Sequence, residues 1–188
     1  LKNYFNIAKV QFACQCVVKK KVRAQIRRGA ESVIVCVVAH GCEDDRGQFY
    51  EFDEEADCGK KCGLKDGVYL QKLLRSLDSL AEETPITLLS IACRNSFGDK
   101  LGPVIRPQLI PVVFGTGRGK PYSIDLKPTE PCHLHAILGE FTASNTLAEA
   151  LTKIGRVSTE ITNFEGKMTT MRAQVVHAAD RRHYDAPL

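Results

Sequence analysis

The sequence has no tryptophan, and none of its apolar runs approaches the ~20 residues that a membrane-spanning helix requires. Its longest apolar run, residues 33–39, has the length of a β-strand. Basic and aromatic residues do not interleave as they do in proteins that bind single-stranded nucleic acid. No signal peptide is visible, and the first residue is Leu1 rather than methionine, which indicates a fragment, a processed product or a trimmed chain. These features predict a protein without a membrane segment.

The length of 188 residues suits one α/β domain, and a hydrophobic fraction of 44% is enough for a sizeable core. The net charge is +4. The main basic cluster has helical spacing and consists of Lys19, Lys20, Lys21, Arg23, Arg27 and Arg28. Such a cluster is more often a solvated helix face than a patch for nucleic acid. We therefore expect no nucleic-acid partner.

Eight cysteines are present. Those in or beside strand-like apolar runs are Cys14, Cys16, Cys36 and Cys93. This usage is typical of free buried thiols in a reducing compartment, and it indicates a cytoplasmic protein rather than a disulfide framework. Cys58 and Cys62 lie close together in a polar loop after Cys42, but a zinc site needs four ligands and no histidine is near this pair in sequence. We therefore expect no metal.

Strand-like and helix-like segments alternate along the chain. Residues 7–18 are typical of a strand that runs into a helix over 19–29, and a polar loop is predicted at 42–48. Further strands are predicted at residues 32–40, 48–53, 86–93, 109–116 and 169–179. Further helices are predicted at residues 66–83, with Asp66 as N-cap, and at 132–143 and 146–164. Three strands are apolar on both faces, so we predict an α/β fold with a mostly parallel sheet between helices.

Two of the central strands end in residues that can carry chemistry. The segment VIVCVVAHG ends in His40 and Gly41, and the segment ITLLSIAC ends in Cys93. If the strands are parallel neighbours, their ends meet at the sheet edge where ligands of such sheets bind. There the His40 imidazole could hold the Cys93 thiol as thiolate or protonate a leaving amine. The backbone N–H groups of Gly41 and Cys93 are natural donors to an oxyanion.

His40 precedes Cys93 by 53 positions (93 − 40), and Ala92-Cys93-Arg94 matches part of the Q-A-C-[RQG]-G signature. On these residues the chain resembles the caspase/paracaspase group of cysteine peptidases. Three more segments are similar to parts of that group: RGKPYSID to the specificity loop, LAEALTKIGRVSTEI to the last large helix, and TTMRAQVVHAADRR to the final strand. Ile91 and Asn95 depart from the Gln and Gly of the signature.

The resemblance implies one caspase-like domain over residues 1–188, a three-layer sandwich around a sheet of the six-stranded type that lacks its first strand and helix. A large-subunit-like part would span residues 1–94, a linker 95–108 and a small-subunit-like part 109–188. His40 would be the general acid/base and Cys93 the nucleophile that forms a thioester. Gly41 and Cys93 would donate to the oxyanion, and peptide-bond hydrolysis would need no cofactor.

Specificity follows from the resemblance as well. Ser123-Ile124-Asp125 stands where caspases have an arginine-bearing stretch, and an acid there suits Arg or Lys substrates, as in paracaspases. Paracaspases also carry an acid two residues before the nucleophile, where this chain has Ile91. The expected substrate-binding residues are Ile91, Tyr122, Ser123 and Asp125. Cleavage after Asp is the alternative, with positive charge supplied by Arg118 and Lys120.

The resemblance also implies partners besides a protein or peptide substrate. These are a second copy of the chain, paired through residues 169–179, and an adaptor or regulatory protein. The short linker over residues 95–108 indicates a chain that stays uncleaved. Two other interpretations remain open: a non-catalytic caspase-like scaffold that acts by dimerising, and an unrelated α/β binding domain whose histidine and cysteine coincide by chance.

Overall fold

The computed structural model describes residues 15–44, 47–51, 67–92, 107–115, 133–162 and 168–188. The helices in these ranges are α1 (Gln15–Arg27), α2 (Leu70–Asp78), α3 (His133–Thr142) and α4 (Leu147–Ile154). The strands are β1 (Val33–Val38), β2 (His40–Asp44), β3 (Gly47–Glu51), β4 (Val68–Tyr69), β5 (Ile86–Ile91), β6 (Val112–Phe114), β7 (Ser158–Thr162), β8 (Met168–Arg172) and β9 (Gln174–Val176). In this part of the chain, every helix is too short or too polar to cross a membrane.

The main sheet has the strand order β1-β5-β6-β9 within the described residues. β1, β5 and β6 are parallel, and β9 runs antiparallel to β6. All six side chains of β5 are buried, as its mainly apolar sequence predicts for a central strand, and Thr87 and Ser90 are the two polar ones. The α/β class and the mostly parallel sheet are thus confirmed.

Helices cover both faces of this sheet. On one face, the valines and leucines of α1 and α2 form a core cluster with Leu88 of β5. On the other face, apolar residues of α3 and α4 form a second cluster with Leu89. Adjacent residues of one strand therefore belong to opposite cores, because side chains alternate across a strand. The arrangement has three layers: helices, sheet and helices.

Two small antiparallel sheets flank the main one. β2, β3 and β4 form the first, and β7 pairs with β8 in the second. The polar loop predicted at residues 42–48 is wrong in part, because residues 40–44 are the first strand of the β2–β3 hairpin. The last predicted strand, residues 169–179, is two strands in different sheets, separated only by Ala173.

Residues 15–18 were predicted as strand and are the first turn of α1, so that part of the prediction is wrong. Val18 and Val22, four residues apart, are both buried, which is the spacing of one helix face. The remainder of the predicted strand, residues 7–14, lies outside the described residues.

The helix predicted at residues 66–83 is shorter than expected. Val68 and Tyr69 pair with β3, and the helix begins at Leu70 with Tyr69 at its N-cap. The assignment of Asp66 as N-cap is therefore wrong, since strand pairing outcompetes the earlier start. The helix ends at Asp78, and turns lead from there to Pro85.

The helix predicted at residues 146–164 ends at Ile154. Gly155 caps it, and residues 158–162 form β7 instead of continuing the helix. Four of the five β7 residues are Ser, Thr or Ile, and the β-branched ones favour strands. The apolar spacing that predicted one long helix therefore covers two elements, the helix α4 and the strand β7.

The start of α4 carries a side-chain cap. The Thr146 hydroxyl accepts a hydrogen bond from the Glu149 N–H at 3.3 Å, and the Glu149 carboxylate accepts one from the Asn145 N–H at 2.8 Å. We expect Thr146→Ala to lower the free energy of unfolding by about 1 kcal/mol, because one N–H at the helix start loses its acceptor. Urea denaturation measures this loss. Thr152→Ala on the exposed side of α4 is the matched control and should change stability by less than about 0.5 kcal/mol; equal effects would contradict the cap.

The chain's last described residues run along this helix start. The Ala148 N–H donates to the Tyr184 carbonyl at 2.8 Å, and the Leu147 N–H donates to the Ala186 carbonyl at 3.3 Å. The Leu188 N–H donates to the Asn145 carbonyl at 3.2 Å. Residues 184–188 thus supply backbone acceptors that a helix start ordinarily lacks.

Candidate active site

The ends of β1 and β5 lie side by side. The two strands pair in parallel from Val33 opposite Ile86 to Val38 opposite Ile91. Beyond the strands, the Ala39 N–H still donates to the Ile91 carbonyl at 3.3 Å. His40 follows directly in the chain, and Cys93 is the second residue after Ile91. The sequence predicts one site for His40 and Cys93 only if their strands are parallel neighbours, and β1 and β5 are parallel neighbours.

His40 is exposed and is the first residue of β2, opposite Glu51 of β3. Gly41 is buried and lies opposite Tyr50. An exposed imidazole at the end of a buried strand is accessible to a substrate, whereas the backbone that holds it is fixed by its neighbours. Cys93 lies outside the described residues.

The hairpin that bears His40 is tied to β5 by a buried hydrogen bond. The Tyr50 hydroxyl donates to the Ser90 hydroxyl at 3.0 Å. Tyr50 is 0% exposed and Ser90 is 1% exposed. Removal of one partner would leave the other buried without a hydrogen bond, and this lowers the free energy of unfolding by about 1–3 kcal/mol. It therefore holds the β2–β3 hairpin against the strand that precedes Cys93.

A second contact fixes the far end of the hairpin. The Tyr69 hydroxyl donates to the Asp44 carboxylate at 2.6 Å, and the Tyr69 ring lies 5.4 Å from the Phe49 ring. Gly67, which leads into β4, has φ +94°, and a Cβ there would come within 2.3 Å of the Tyr50 carbonyl oxygen. Only glycine fits that close approach of the backbone. Sequence reasoning had not marked Tyr50, Ser90 or Tyr69, because no motif distinguishes them from ordinary strand residues.

The end of β6 adjoins the same region. The Gly115 N–H donates to the Ser90 carbonyl at 2.8 Å. A Cβ on Gly115 would lie 2.3 Å from the end of the Ile91 side chain. Ile91 is 1% exposed and belongs to the core that includes α3 and α4. Its side chain therefore packs the core and presents no surface to a substrate. Tyr122, Ser123 and Asp125 lie outside the described residues.

The described cysteines differ in state. Cys36 and Cys42 are not disulfide-bonded, and the Cys42 Sγ donates to the Glu51 carboxylate at 3.2 Å. Cys16 is disulfide-bonded, so the expectation of a free thiol is wrong for this residue. No group of three or more His, Cys, Asp or Glu side chains in the described ranges has the arrangement of a metal site.

His133 is a core residue, and His135 on the same helix is exposed. His133 Nδ1 lies 2.9 Å from the Thr159 hydroxyl. Burial lowers the pKa of His133, against a smaller opposing effect of the Gly115 backbone. His133 is therefore a packing residue, and His135 is a surface residue.

We expect the buried His133 to make the protein less stable at mildly acidic pH. An unfolded histidine takes up a proton near pH 6.5. Folded His133 resists protonation because its pKa is lowered, so stability falls as the pH drops below about 6.5. Thermal unfolding at pH 7.5 and 5.5 measures this loss. His133→Gln should reduce the pH dependence and His135→Gln should not. His177, whose pKa is also lowered, is present in every variant. If His133→Gln still shows the wild-type difference in thermal stability between pH 7.5 and 5.5, the assignment of that difference to His133 is contradicted.

Comparison with known proteins adds no further constraint. No protein-family model matches the chain, and no curated protein is significantly similar to it in sequence.

Proposed function

We propose that the chain is a cysteine endopeptidase of the caspase/paracaspase type, with Cys93 as nucleophile and His40 as general acid/base. The observation that carries the proposal is the parallel pairing of β1 and β5, in register up to Val38 and Ile91. Because both strands end at one sheet edge, the residues that follow them leave the sheet together. An exposed histidine after one strand and a cysteine after the other suit nucleophilic catalysis.

In the proposed reaction, the Cys93 thiolate attacks the scissile carbonyl carbon. The backbone N–H groups of Gly41 and Cys93 donate to the resulting oxyanion. His40 protonates the leaving amine, and the C–N bond breaks to leave a thioester. Water then attacks the thioester, His40 accepts the proton of this water, and the thiolate is regenerated.

The proposal includes a preference for Arg or Lys before the scissile bond. Its support is the resemblance of residues 118–125 to a specificity loop that carries Asp125 instead of arginine. A carboxylate in such a pocket pairs with a cationic side chain and disfavours an anionic one. The proposal also includes pairing of two copies through residues 169–179. Among the described strands, β9, within this segment, pairs with β6 of its own chain, and a strand of the second copy would add on the side away from β6.

The test is turnover of two fluorogenic peptides that differ only in Arg or Asp before the scissile bond. We expect cleavage of the Arg peptide, and we expect Cys93→Ala to abolish it because the covalent intermediate cannot form. Asp125→Asn should weaken cleavage of the Arg peptide selectively. The readouts are kcat/KM for each peptide and mass spectrometry of the acyl-enzyme.

Each outcome has a defined meaning. Turnover that persists in Cys93→Ala would exclude Cys93 as nucleophile. Cleavage of the Asp peptide alone would replace the basic preference with the caspase one. Silence towards both peptides, even under forced dimerisation, would favour the scaffold interpretation.

A further inference from the structure

Helix α1 has a buried apolar side and an exposed cationic side. Val18 and Val22 are buried. Lys20, Arg23 and Arg27 are exposed, and because they are three and four residues apart they lie along one side of the helix. α1 contains no acidic residue. Like charges at this spacing repel one another, and no anion on the helix itself compensates them.

The cationic side of α1 borders a groove of about 630 Å³. Its described lining residues are two small ones, Cys16 and Ala24, and five cations, Lys19, Lys20, Arg23, Arg27 and Arg28. The Lys19 ammonium donates to the Ser79 hydroxyl at 3.0 Å. Among the described residues, none of these five cations forms an ion pair with a carboxylate. We call this surface the cationic groove.

The described lining of the cationic groove suits polymeric anions poorly. Single-stranded nucleic acids stack their bases on aromatic side chains, and none of the described lining residues is aromatic. The helix rises by about 12 Å between Lys19 and Arg27. An extended acidic peptide places only about two carboxylates on one face over that length, because alternate side chains share a face. Such a peptide would leave most of the five cations without a counter-charge.

Phosphate groups match the cationic groove better. Each carries up to about two negative charges and three acceptor oxygens, so a few adjacent phosphates balance the five cations. Three of these cations are arginines, whose planar guanidinium binds phosphate through two parallel hydrogen bonds. The groove also has the volume of a small-molecule site, which is usually about 300–1,000 Å³.

We propose that the cationic groove binds a compact oligophosphate, either free or as the phosphate chain of a nucleoside triphosphate. Lys20, Arg23 and Arg27 contact the phosphates along the helix. The bound anion removes the repulsion between neighbouring cations of α1 and thereby stabilises the folded chain. The site uses none of the residues of the candidate active site, so it does not depend on peptidase activity.

Isothermal titration calorimetry of the full chain with sodium tripolyphosphate tests the proposal. We expect one anion to bind per chain, with a Kd at least ~10-fold lower than that of orthophosphate, because adjacent phosphates engage several cations at once. The variant Lys20→Gln/Arg23→Gln/Arg27→Gln should raise this Kd at least ~10-fold. The matched control Arg75→Gln/Arg156→Gln/Arg172→Gln removes the same charge at exposed positions outside the described lining and should change the Kd less than ~2-fold.

Thermal unfolding provides a second readout and shows whether the variants fold. Tripolyphosphate should raise the unfolding temperature of the wild type and of the control variant, because it binds only the folded chain. It should not raise that of the groove variant. Without the anion, the groove variant should unfold at or above the wild-type temperature, since its neighbouring α1 side chains no longer repel one another.

Titration with adenosine triphosphate distinguishes the two sources of the phosphate chain. Equal Kd values for this nucleotide and tripolyphosphate would identify the phosphate chain alone as the ligand, whereas a lower Kd for the nucleotide would identify a nucleoside triphosphate. Absence of saturable binding of both anions would overturn the proposal, as would equal weakening by the two triple variants. Tighter binding of decaglutamate or of a short DNA duplex than of tripolyphosphate would also overturn it, in favour of a polymeric partner.

Discussion

Replacement of His40 by alanine is expected to lower kcat/KM for hydrolysis of the Arg peptide by about 10²–10⁴-fold, the usual contribution of a general acid/base. The imidazole is exposed at the first residue of β2, so its removal leaves the core unchanged. Both the activation of Cys93 and the protonation of the leaving amine would be lost together. Steady-state kinetics with the Arg peptide across pH 5–9 measure the loss.

The control for this variant is His135→Ala, which removes another exposed histidine far along the chain and should leave kcat/KM unchanged. Residues that act as one unit are not additive. The double variant His40→Ala/Cys93→Ala should therefore be no less active than Cys93→Ala alone. Full activity of His40→Ala, with an unchanged pH profile, would remove His40 from the proposed mechanism.

Leu88→Ala and Leu89→Ala are each expected to lower the free energy of unfolding by about 3–5 kcal/mol, the range for large cavities in a core. Both leucines are 0% exposed, and they face opposite core clusters. If helices covered only one side of β5, one of the two substitutions would lower the free energy of unfolding much less than the other. Equilibrium denaturation in urea measures both losses, which together report whether helices cover both faces of β5.

Val38→Ala on β1 serves as the control for these leucines. Val38 is an apolar residue of the same sheet but is 47% exposed, so its truncation should cost less than about 1 kcal/mol. A loss at Leu89 as small as that at Val38 would mean that α3 and α4 do not seal their face of the sheet.

The central part of the fold could be predicted from the sequence because its signals are strong and local. Four of the six residues of β5 are Ile or Leu and lie on both faces of the strand, so its burial on both faces follows from that pattern. The predicted helix at residues 132–143 corresponds to α3, His133–Thr142. Helical spacing, strand length and the sheet class each depend only on neighbouring residues.

The prediction was wrong where a segment fitted the pattern of a helix but pairs as a strand with a distant part of the chain. Val68 and Tyr69 fit the apolar stripe of a helix, yet they pair with Phe49 and Tyr50 of β3. Residues 158–162 continued a helical spacing, yet they pair with β8. In both cases the partner strand lies elsewhere in the sequence, so no local pattern could reveal it.

The candidate site divides in the same way. The sequence predicts His40 and Cys93 from the strand ends that precede them, and the parallel pairing of β1 and β5 meets the condition of that prediction. The Tyr50–Ser90 hydrogen bond could not be predicted from the sequence, because its partners are 40 positions apart and neither belongs to a motif. The specificity residues 122–125 rest on resemblance alone and await the peptide assays.

The hydrogen bonds from the start of α4 to residues 184–188 bear on the order of events during synthesis. A ribosome makes Leu147 and Ala148 well before Tyr184 and Ala186, whose carbonyls accept their N–H groups. Until those later residues emerge, the first turn of α4 relies on the Thr146 cap and on water. Helix α4 therefore cannot complete its first turn as it is translated, and does so only after residues 184–188 dock.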